Sequence, residues 1–306
     1  MSIFSTSTVN IDGAPSMKLL QIMRPQHWIK NVFVFAALIF GQKLTDLPAV
    51  GRAIGGFLCF CLAASAVYIF NDIVDRKADS LHPEKCSRPI AAGSLSVRLA
   101  TVMSISCAAL AIIGSFLLAR YFAIIVILYI LLMVLYSLLL KSVTILDCLA
   151  ISIGFCLRAM AGAVVVRVFI SPWLIICTFA LCLFLAFSKR RSEIAQLRTD
   201  SESFRQTLAA YTPELLGHMV DVTSGLAIVC FLLYAMDGRT VERFGTINLV
   251  YTSPLVLYCI FRLSALMQKG RFSGPVRLIL ADLPFQIGLV LWVLSCVAII
   301  YARRLA

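Results

Sequence analysis

Long apolar runs separated by short polar segments extend along almost the whole chain. A helix that crosses a bilayer needs about 20 mostly apolar residues. Runs that are apolar on every side, and not along one stripe, favour an all-α polytopic membrane protein over a soluble helical bundle. The pattern predicts about nine transmembrane helices, at residues 31–48, 53–70, 98–118, 121–140, 143–165, 171–187, 219–236, 246–262 and 283–301.

Composition agrees with this pattern and adds an orientation. The chain is 61% hydrophobic with a mean hydropathy of +0.95 and a net charge of +12. Most lysines and arginines fall in the loops on one side of the predicted spans, which predicts a cytoplasmic N-terminus and an outside C-terminus in the cell (inner or plasma) membrane. The positive charge is then explained by topology and anionic lipid, so no nucleic-acid partner is expected.

The domain organisation is expected to be simple. Residues 17–306 are predicted to form a single transmembrane domain, preceded by a polar segment at residues 1–16 that is expected to be disordered. Most of the 11 cysteines lie inside apolar runs, where they are typical small packing residues. The three histidines are scattered and predict no zinc site. No feature of the sequence defines an oligomeric state.

One segment breaks the apolar pattern with unusual charge, NDIVDRKADSLHPEKCSRPI at Asn71–Ile90. If the preceding helix continues past Phe70, Asp72, Asp75 and Asp79 fall within an arc of about 60°. Like charges on one helix face repel, and Mg²⁺ bound by these carboxylates and the Asn71 amide oxygen would offset the repulsion. The alternative is a solvated loop in which the aspartates pair with Arg76, Lys77 and Lys85.

Basic residues recur at the same predicted membrane boundary in four segments. Each alone is typical of a topology anchor, but together they predict a ring of donors for a phosphorylated ligand. The segments are RPQHWIKN (Arg24–Asn31), the pair Lys85 and Arg88 before PIAAG, YSLLLK (Tyr136–Lys141) and SKRRSEI (Ser188–Ile194).

Two charged residues lie inside or beside the fifth predicted span. Asp147 and Arg158 fall on similar faces of one helix, with Gly154 between them. An arginine within the membrane is costly and usually faces a cavity or a partner. Arg158 therefore either forms a structural salt bridge with a neighbouring helix or holds a phosphate.

The charged segment also carries a resemblance. NDIVDRKAD fits the NDxxDxxxD signature of the UbiA-type intramembrane prenyltransferase superfamily, which implies nine helices around a central cavity with Mg²⁺-diphosphate bound at the cytoplasmic side. The chain more closely resembles the polyprenyl-phosphate phosphoribosyltransferase branch. The segments shared with that branch are RPQHWIKN, NDIVDRKADSLHPEKCSRPIAAG, YSLLLK followed by ILD, GFCLRAMAGA and SKRRSEI. The branch implies phosphoribosyl pyrophosphate (PRPP) as donor and a polyprenyl phosphate lipid as acceptor.

One departure bears on the substrate. Superfamily members that use prenyl diphosphates usually carry a second aspartate-rich motif, DxxxD, after the sixth helix, whereas this chain has Ser188-Lys189-Arg190-Arg191-Ser192-Glu193. The extra cations suit PRPP, which carries a 5-phosphate as well as a diphosphate. The alternatives are a prenyltransferase acting on an aromatic or other small acceptor, a transporter and a non-catalytic scaffold.

The resemblance assigns expected roles to individual residues. The lipid phosphate is already an anion at neutral pH, so no general base is required. Asn71, Asp72, Asp75 and Asp79 are expected to bind Mg²⁺, and Lys189 joins the three aspartates as a catalytic residue. The expected substrate-binding residues are Lys30, Asn31, Lys85, Arg88, Tyr136, Lys141, Arg158, Arg190 and Glu193.

Overall fold

A computed structural model describes residues 15–81, 85–197, 211–268 and 275–305. All regular elements within these ranges are helices, and eight are long and apolar enough to cross a membrane, which confirms the all-α, multi-pass prediction. They are α3 (Leu47–Val74), α5 (Val97–Leu118), α6 (Arg120–Leu138), α7 (Leu146–Val166), α8 (Pro172–Leu197), α9 (Pro213–Met236), the 3₁₀ turn Asn248–Thr252 continued by α11 (Ser253–Gln268), and α13 (Leu283–Leu305).

Shorter elements connect or flank these helices. Residues 1–14 lie outside the described ranges, so the disorder expected for residues 1–16 and the single-domain organisation stay predictions. The shorter elements are α1 (Pro15–Met23), a 3₁₀ helix (Pro25–Phe35), α2 (Ala36–Phe40), α4 (Arg76–Ser80), a 3₁₀ turn (Leu140–Ser142), α10 (Gly238–Phe244) and α12 (Pro275–Ala281).

The first predicted span differs from the structure. Residues 31–48 do not form one α-helix, because an 11-residue 3₁₀ helix at Pro25–Phe35 leads into a 5-residue α-helix that ends before Gly41. Arg24 breaks the chain from α1 with a left-handed backbone (φ 54°), and Pro25 then starts the 3₁₀ helix, where its missing N–H costs nothing. Hydropathy predicts an apolar run but does not distinguish these two kinds of helix.

The 3₁₀ helix is held between α3 and α7 by close packing. A Cβ atom added at Gly162 would lie 2.2 Å from the Val34 carbonyl oxygen, so only glycine allows α7 to approach the 3₁₀ backbone this closely. Val34 is fully buried in a core that also contains Phe60, Phe122 and Tyr129. This packing fixes the polar face of the 3₁₀ helix against the end of α3.

Helix α3 continues almost without interruption into α4. The Asp75 N–H donates to the Asn71 carbonyl at 2.9 Å, and the Asp79 N–H donates to the Asp75 carbonyl at 2.8 Å. Both bonds have the i to i−4 pattern of an α-helix. The helix therefore continues past Phe70, which is the condition under which the sequence predicted that the aspartates share one face.

Candidate functional site

Three nitrogen-bearing side chains, one just before the 3₁₀ helix and two within it, lie on one side of its axis because this helix repeats every three residues. Arg24, His27 and Lys30 all face the Tyr68 ring of α3. The Arg24 guanidinium carbon lies 5.5 Å from the ring centroid, the His27 ring 5.5 Å and the Lys30 ammonium 6.0 Å. The column of side chains runs from Arg24, which pairs with Asp72, to Lys30, which lies towards the buried Arg158.

Asp72 and Asp79 lie on the same side of the α3–α4 axis and share one guanidinium group. Arg88 Nη1 lies 3.0 Å from Asp72 Oδ1 and 2.5 Å from Asp79 Oδ2. Arg24 Nη2 approaches the same Asp72 oxygen at 2.5 Å. The two carboxylates thus face each other across a single nitrogen atom.

Asp75 is held from another direction. Its Oδ1 pairs with the Lys141 ammonium, from the 3₁₀ turn after α6, and its Oδ2 accepts a hydrogen bond from Asn71 Nδ2 at 2.9 Å. We call the six charged residues of this region the aspartate cluster. Its members are Asp72, Asp75, Asp79, Arg24, Arg88 and Lys141.

The aspartates do not pair as the solvated-loop alternative predicted. No ion pair joins them to the exposed Arg76 or Lys77 within the described residues, and Lys85 contributes its carbonyl, which accepts the Arg88 N–H at 3.0 Å. The cations come instead from three separate elements of the chain. They close a site between the 3₁₀ helix, the α3–α4 axis and the end of α6.

The aspartate cluster has a donor set that fits Mg²⁺. Carboxylate and amide oxygens are hard ligands of the kind that this ion prefers. Asp72 and Asp79 face each other closely enough to share one cationic atom, although no group of three His, Cys, Asp or Glu side chains in the described ranges is arranged to hold a metal ion by itself. Three carboxylates are matched here by three cations, so the cluster offers no excess negative charge.

A second group of charges lies at the same end of the bundle, and we call it the α7–α8 cluster. Arg190 Nε donates to Asp147 Oδ2 at 2.7 Å, and both side chains are almost completely buried, at 4% and 0% exposure. Arg190 Nη1 also donates to Glu193 Oε2 at 2.5 Å. Lys189 lies 3.4 Å from the other oxygen of Glu193, and Tyr136 lies within electrostatic reach of Arg190.

Tyr211 completes the α7–α8 cluster from the start of α9. Its hydroxyl donates to Asp147 Oδ1 at 2.9 Å and accepts the Ile145 N–H at 2.7 Å. Burial raises the pKa of Tyr211, which keeps the phenol protonated and able to donate. Ile145 has φ 71° and ψ −47°, a strained backbone for a β-branched residue, so Tyr211 stabilises the N-terminus of α7 where it is least regular.

Arg158 belongs to neither cluster. Its guanidinium donates to the Asn31 side-chain oxygen at 2.8 Å, to the Gly154 carbonyl at 2.9 Å and to the Tyr129 hydroxyl at 2.8 Å. No ion pair joins it to a carboxylate in the part of the chain that the structure describes, so the predicted salt bridge is not formed there. We call these four residues the arginine network; Asn31 also donates to the Cys61 sulfur at 3.4 Å.

Most of the predicted site residues fall into three groups, whereas Lys30, which lies over the Tyr68 ring, and Lys85, which precedes Arg88, belong to none of them. The aspartate cluster contains Arg88 and Lys141, the α7–α8 cluster contains Lys189, Arg190 and Glu193 with Tyr136 nearby, and the arginine network contains Asn31 and Arg158. Sequence reasoning named the segment Arg24–Asn31 but selected only Lys30 and Asn31 from it as site residues. It did not single out Arg24, His27, Tyr68 or Tyr211. A signal for this column was present in the sequence: Arg24, His27 and Lys30 are spaced three residues apart, which is the repeat of a 3₁₀ helix.

Comparisons with known proteins identify the family of this chain. The family profile described as UbiA prenyltransferase family matches residues 31–285. Decaprenyl-phosphate phosphoribosyltransferase of Corynebacterium glutamicum is 31% identical over 92% of this chain and 86% of that protein. The protein of the same name in Mycolicibacterium smegmatis is 29% identical, over 92% of each chain.

Solved structures show the same fold. A UbiA homologue from Archaeoglobus fulgidus bound to GPP and Mg²⁺ superimposes with a TM-score of 0.71 at 20% identity, covering 92% of this chain and 99% of that one. A UbiA homologue from Aeropyrum pernix gives a TM-score of 0.63 at 18% identity, covering 91% and 97%.

Proposed function

Because the chain belongs to the UbiA prenyltransferase family, we propose that it transfers a 5-phosphoribosyl group from PRPP to a polyprenyl phosphate in a Mg²⁺-dependent reaction. The products are polyprenyl-phosphoryl-5-phosphoribose and pyrophosphate. The relatives named as decaprenyl-phosphate phosphoribosyltransferases match almost the full length of the chain and support this choice of substrates.

One observation carries the proposal, namely the pairing of three aspartates with three cations at one end of the bundle. A metal-diphosphate complex presents both a cation and several anionic oxygens. Carboxylates that bind the metal and Arg or Lys side chains that bind the oxygens are therefore needed side by side. The aspartate cluster supplies both kinds of group within hydrogen-bond distance of each other.

The cations of α8 favour the phosphoribosyl donor over a prenyl donor. Lys189 and Arg190 lie in the segment of the sequence where prenyl-diphosphate enzymes of the superfamily usually carry a second carboxylate pair. Arg190 is held by Asp147 and Glu193, whereas Lys189 is more exposed and can reach a phosphate. PRPP brings a 5-phosphate in addition to its diphosphate, so it requires more positive charge. Lys30, which makes no ion pair with any described residue, and Lys189 are further cations for these phosphates.

The residues have distinct roles in this reaction. Asp72, Asp75, Asp79 and the Asn71 oxygen would hold Mg²⁺, which when bound neutralises the charge that develops on the leaving diphosphate. Arg24, Arg88 and Lys141 exchange their aspartate partners for phosphate oxygens. Asn31 and Arg158 support the interior wall of the site through their mutual hydrogen bond.

The chemical step needs no proton transfer. The bond between ribose C1 and the diphosphate oxygen breaks, and its electron pair leaves with pyrophosphate. An anionic oxygen of the lipid phosphate forms the new bond to C1, which has oxocarbenium character in the transition state. The protein contributes by positioning both anions and stabilising charge. The polyprenyl tail enters from the bilayer, with the aspartate cluster at the cytoplasmic side.

The test uses purified protein in detergent with Mg²⁺, radiolabelled PRPP and a polyprenyl phosphate. We expect label in the organic phase, lost on addition of EDTA. Absence of lipid-linked label, together with transfer from a prenyl diphosphate to an aromatic acid, would replace the phosphoribosyl proposal with the prenyltransferase alternative.

A further inference from the structure

Two buried polar atoms near the proposed site have no hydrogen-bond partner within the described residues. They are the His27 Nδ1 atom, on the 3₁₀ helix, and the Ser188 Oγ atom, on α8. Ser188 is 97% buried, at 3% exposure. Nearly all buried polar atoms in proteins are hydrogen-bonded, so an unpaired one requires an explanation. A bound ligand that forms hydrogen bonds with these two atoms would explain why they have no partner in the part of the protein that the structure describes.

His27 is adjacent to the aspartate cluster and lies between Arg24 and Lys30 along the Tyr68 ring. It lies one 3₁₀ turn after Arg24, whose guanidinium holds Asp72, and a turn of this helix rises about 6 Å. Its ring packs against Tyr68, which lies one α-helical turn before Asp72. A group attached to a diphosphate at the aspartate cluster would therefore reach His27 next.

The charge state of His27 limits what it can bind. Burial, followed by the charges of Lys30, Arg24, Lys189 and Arg88, lowers the pKa of His27 to about 3, so the ring is neutral at pH 7. A neutral imidazole has one N–H donor and one acceptor nitrogen. Phosphate oxygens bind the surrounding cations more strongly than they bind a neutral imidazole. A hydroxyl group, by contrast, can either donate a hydrogen bond to the imidazole or accept one from it.

We propose that His27 contacts a ribose hydroxyl of the donor, and that the hydroxyl of Ser188, which precedes Lys189 on α8, makes a second contact with the donor. This inference rests on the proposed function. The two residues then act as specificity determinants, because a prenyl diphosphate has no hydroxyl to satisfy them. A site built to hydrogen-bond a substrate hydroxyl rejects analogues that lack it more strongly than an apolar pocket rejects an extra group.

The experiment measures binding without turnover, by calorimetry on the purified full-length protein in detergent with Mg²⁺ and no lipid acceptor. PRPP and inorganic pyrophosphate are titrated separately into wild type and into His27→Phe, which keeps a ring against Tyr68 but removes both nitrogens. We expect His27→Phe to weaken PRPP binding about tenfold or more while pyrophosphate affinity changes less than about twofold. Ser188→Ala should show the same selectivity with a smaller loss.

The matched control is His218→Phe, which changes an exposed histidine on α9 and should bind both ligands like wild type. Equal weakening of PRPP and pyrophosphate by His27→Phe and Ser188→Ala, or unchanged PRPP binding in both, overturns the ribose contact and leaves the proposed function standing. Wild-type protein that binds pyrophosphate but not PRPP overturns the proposed function itself, and the ribose contact with it.

Discussion

The aspartate cluster and the α7–α8 cluster lie at the same end of the molecule and use the same kinds of residue, but they differ in burial. In the α7–α8 cluster, Asp147 is fully buried and Arg190 is 4% exposed. In the aspartate cluster, Asp72 is also buried, at 4% exposure, yet its partners Arg24 and Arg88 are 17% and 26% exposed. The cations of the aspartate cluster can therefore move to a ligand, whereas Arg190 has no solvent-accessible alternative to its carboxylate partners.

The difference in burial distinguishes ion pairs that stabilise the fold from ion pairs that can exchange partners with a ligand. A buried pair that loses one partner leaves an uncompensated charge, which is strongly destabilising. A pair with one exposed member can exchange partners at a much smaller cost, because water and ligand replace what is lost. We infer that the α7–α8 cluster maintains the structure on which the aspartate cluster operates.

The largest expected effect comes from neutralising one buried carboxylate in each cluster. Asp72→Asn should reduce turnover on the order of 10³-fold, because it removes a carboxylate of the proposed Mg²⁺ site, while the unfolding temperature stays close to wild type. Asp147→Asn should lower the free energy of unfolding by about 3 kcal/mol, because it removes the fully buried one of the two carboxylates that pair with the buried Arg190. Turnover and thermal unfolding in detergent are measured on both variants.

The two variants serve as controls for each other, since both change Asp to Asn at a buried position of the same end of the bundle. A destabilised Asp72→Asn combined with a stable Asp147→Asn would reverse the distinction between the clusters.

A second, smaller effect concerns the exchange of partners. In wild type, Mg²⁺ should bind weakly alone and much more tightly with pyrophosphate, because Arg88 can leave Asp72 and Asp79 only when phosphate oxygens replace them. Arg88→Gln should weaken pyrophosphate binding about tenfold or more and strengthen binding of the metal alone. Calorimetry with each ligand, alone and combined, measures this coupling.

Arg76→Gln is the matched control for Arg88→Gln, since Arg76 lies in the same region but is exposed and joins no ion pair within the described residues. Tight binding of free Mg²⁺ to wild type, unaffected by pyrophosphate, would contradict the exchange.

A third effect tests the tyrosine that supports the α7–α8 cluster. Tyr211→Phe removes the hydrogen bonds to Asp147 and Ile145, and should destabilise the protein by about 1–2 kcal/mol. Adding Ile145→Gly should recover part of the loss, because glycine adopts φ 71° without strain. Thermal unfolding of the two single variants and the double variant forms a mutant cycle. Strictly additive losses would show that Tyr211 does not stabilise the Ile145 backbone.

The smallest expected effect comes from a partly exposed ion pair, Arg262–Asp282, that serves as a reference for the two clusters. Asp282 accepts two hydrogen bonds from the Arg262 guanidinium, and this contact lowers the pKa of Asp282 below its usual range. The pair therefore stabilises the fold at pH values above the usual aspartate pKa of about 3.9 and is lost as the pH falls through the lowered value.

Asp282→Asn should lower the unfolding temperature at pH 7 by less than Asp147→Asn does, and the difference from wild type should vanish in acid. A difference that persists after the carboxylate is protonated would indicate a role for Asp282 other than its charge.

Eight of the nine predicted spans correspond to long apolar helices in the described residues, because each is an apolar run of sufficient length. The shared side of Asp72 and Asp79 was also predicted, because helical geometry is local. It could not predict that Arg24 and Lys141 supply the counter-charges, since those contacts join residues 48 and 66 positions from their partners. The first predicted span was wrong in form because hydropathy does not distinguish a 3₁₀ helix from an α-helix. The network around Arg158 was missed because its partners are neutral.

The 3₁₀ helix at Pro25–Phe35 also constrains how this segment can change in length. Because side chains repeat every three residues along it, inserting or deleting one residue between Arg24 and Lys30 would rotate one of them by about 120° relative to the other. One of the two would then turn away from Tyr68. Related chains that keep this arrangement should therefore vary in sequence here but not in the number of residues, except in steps of three.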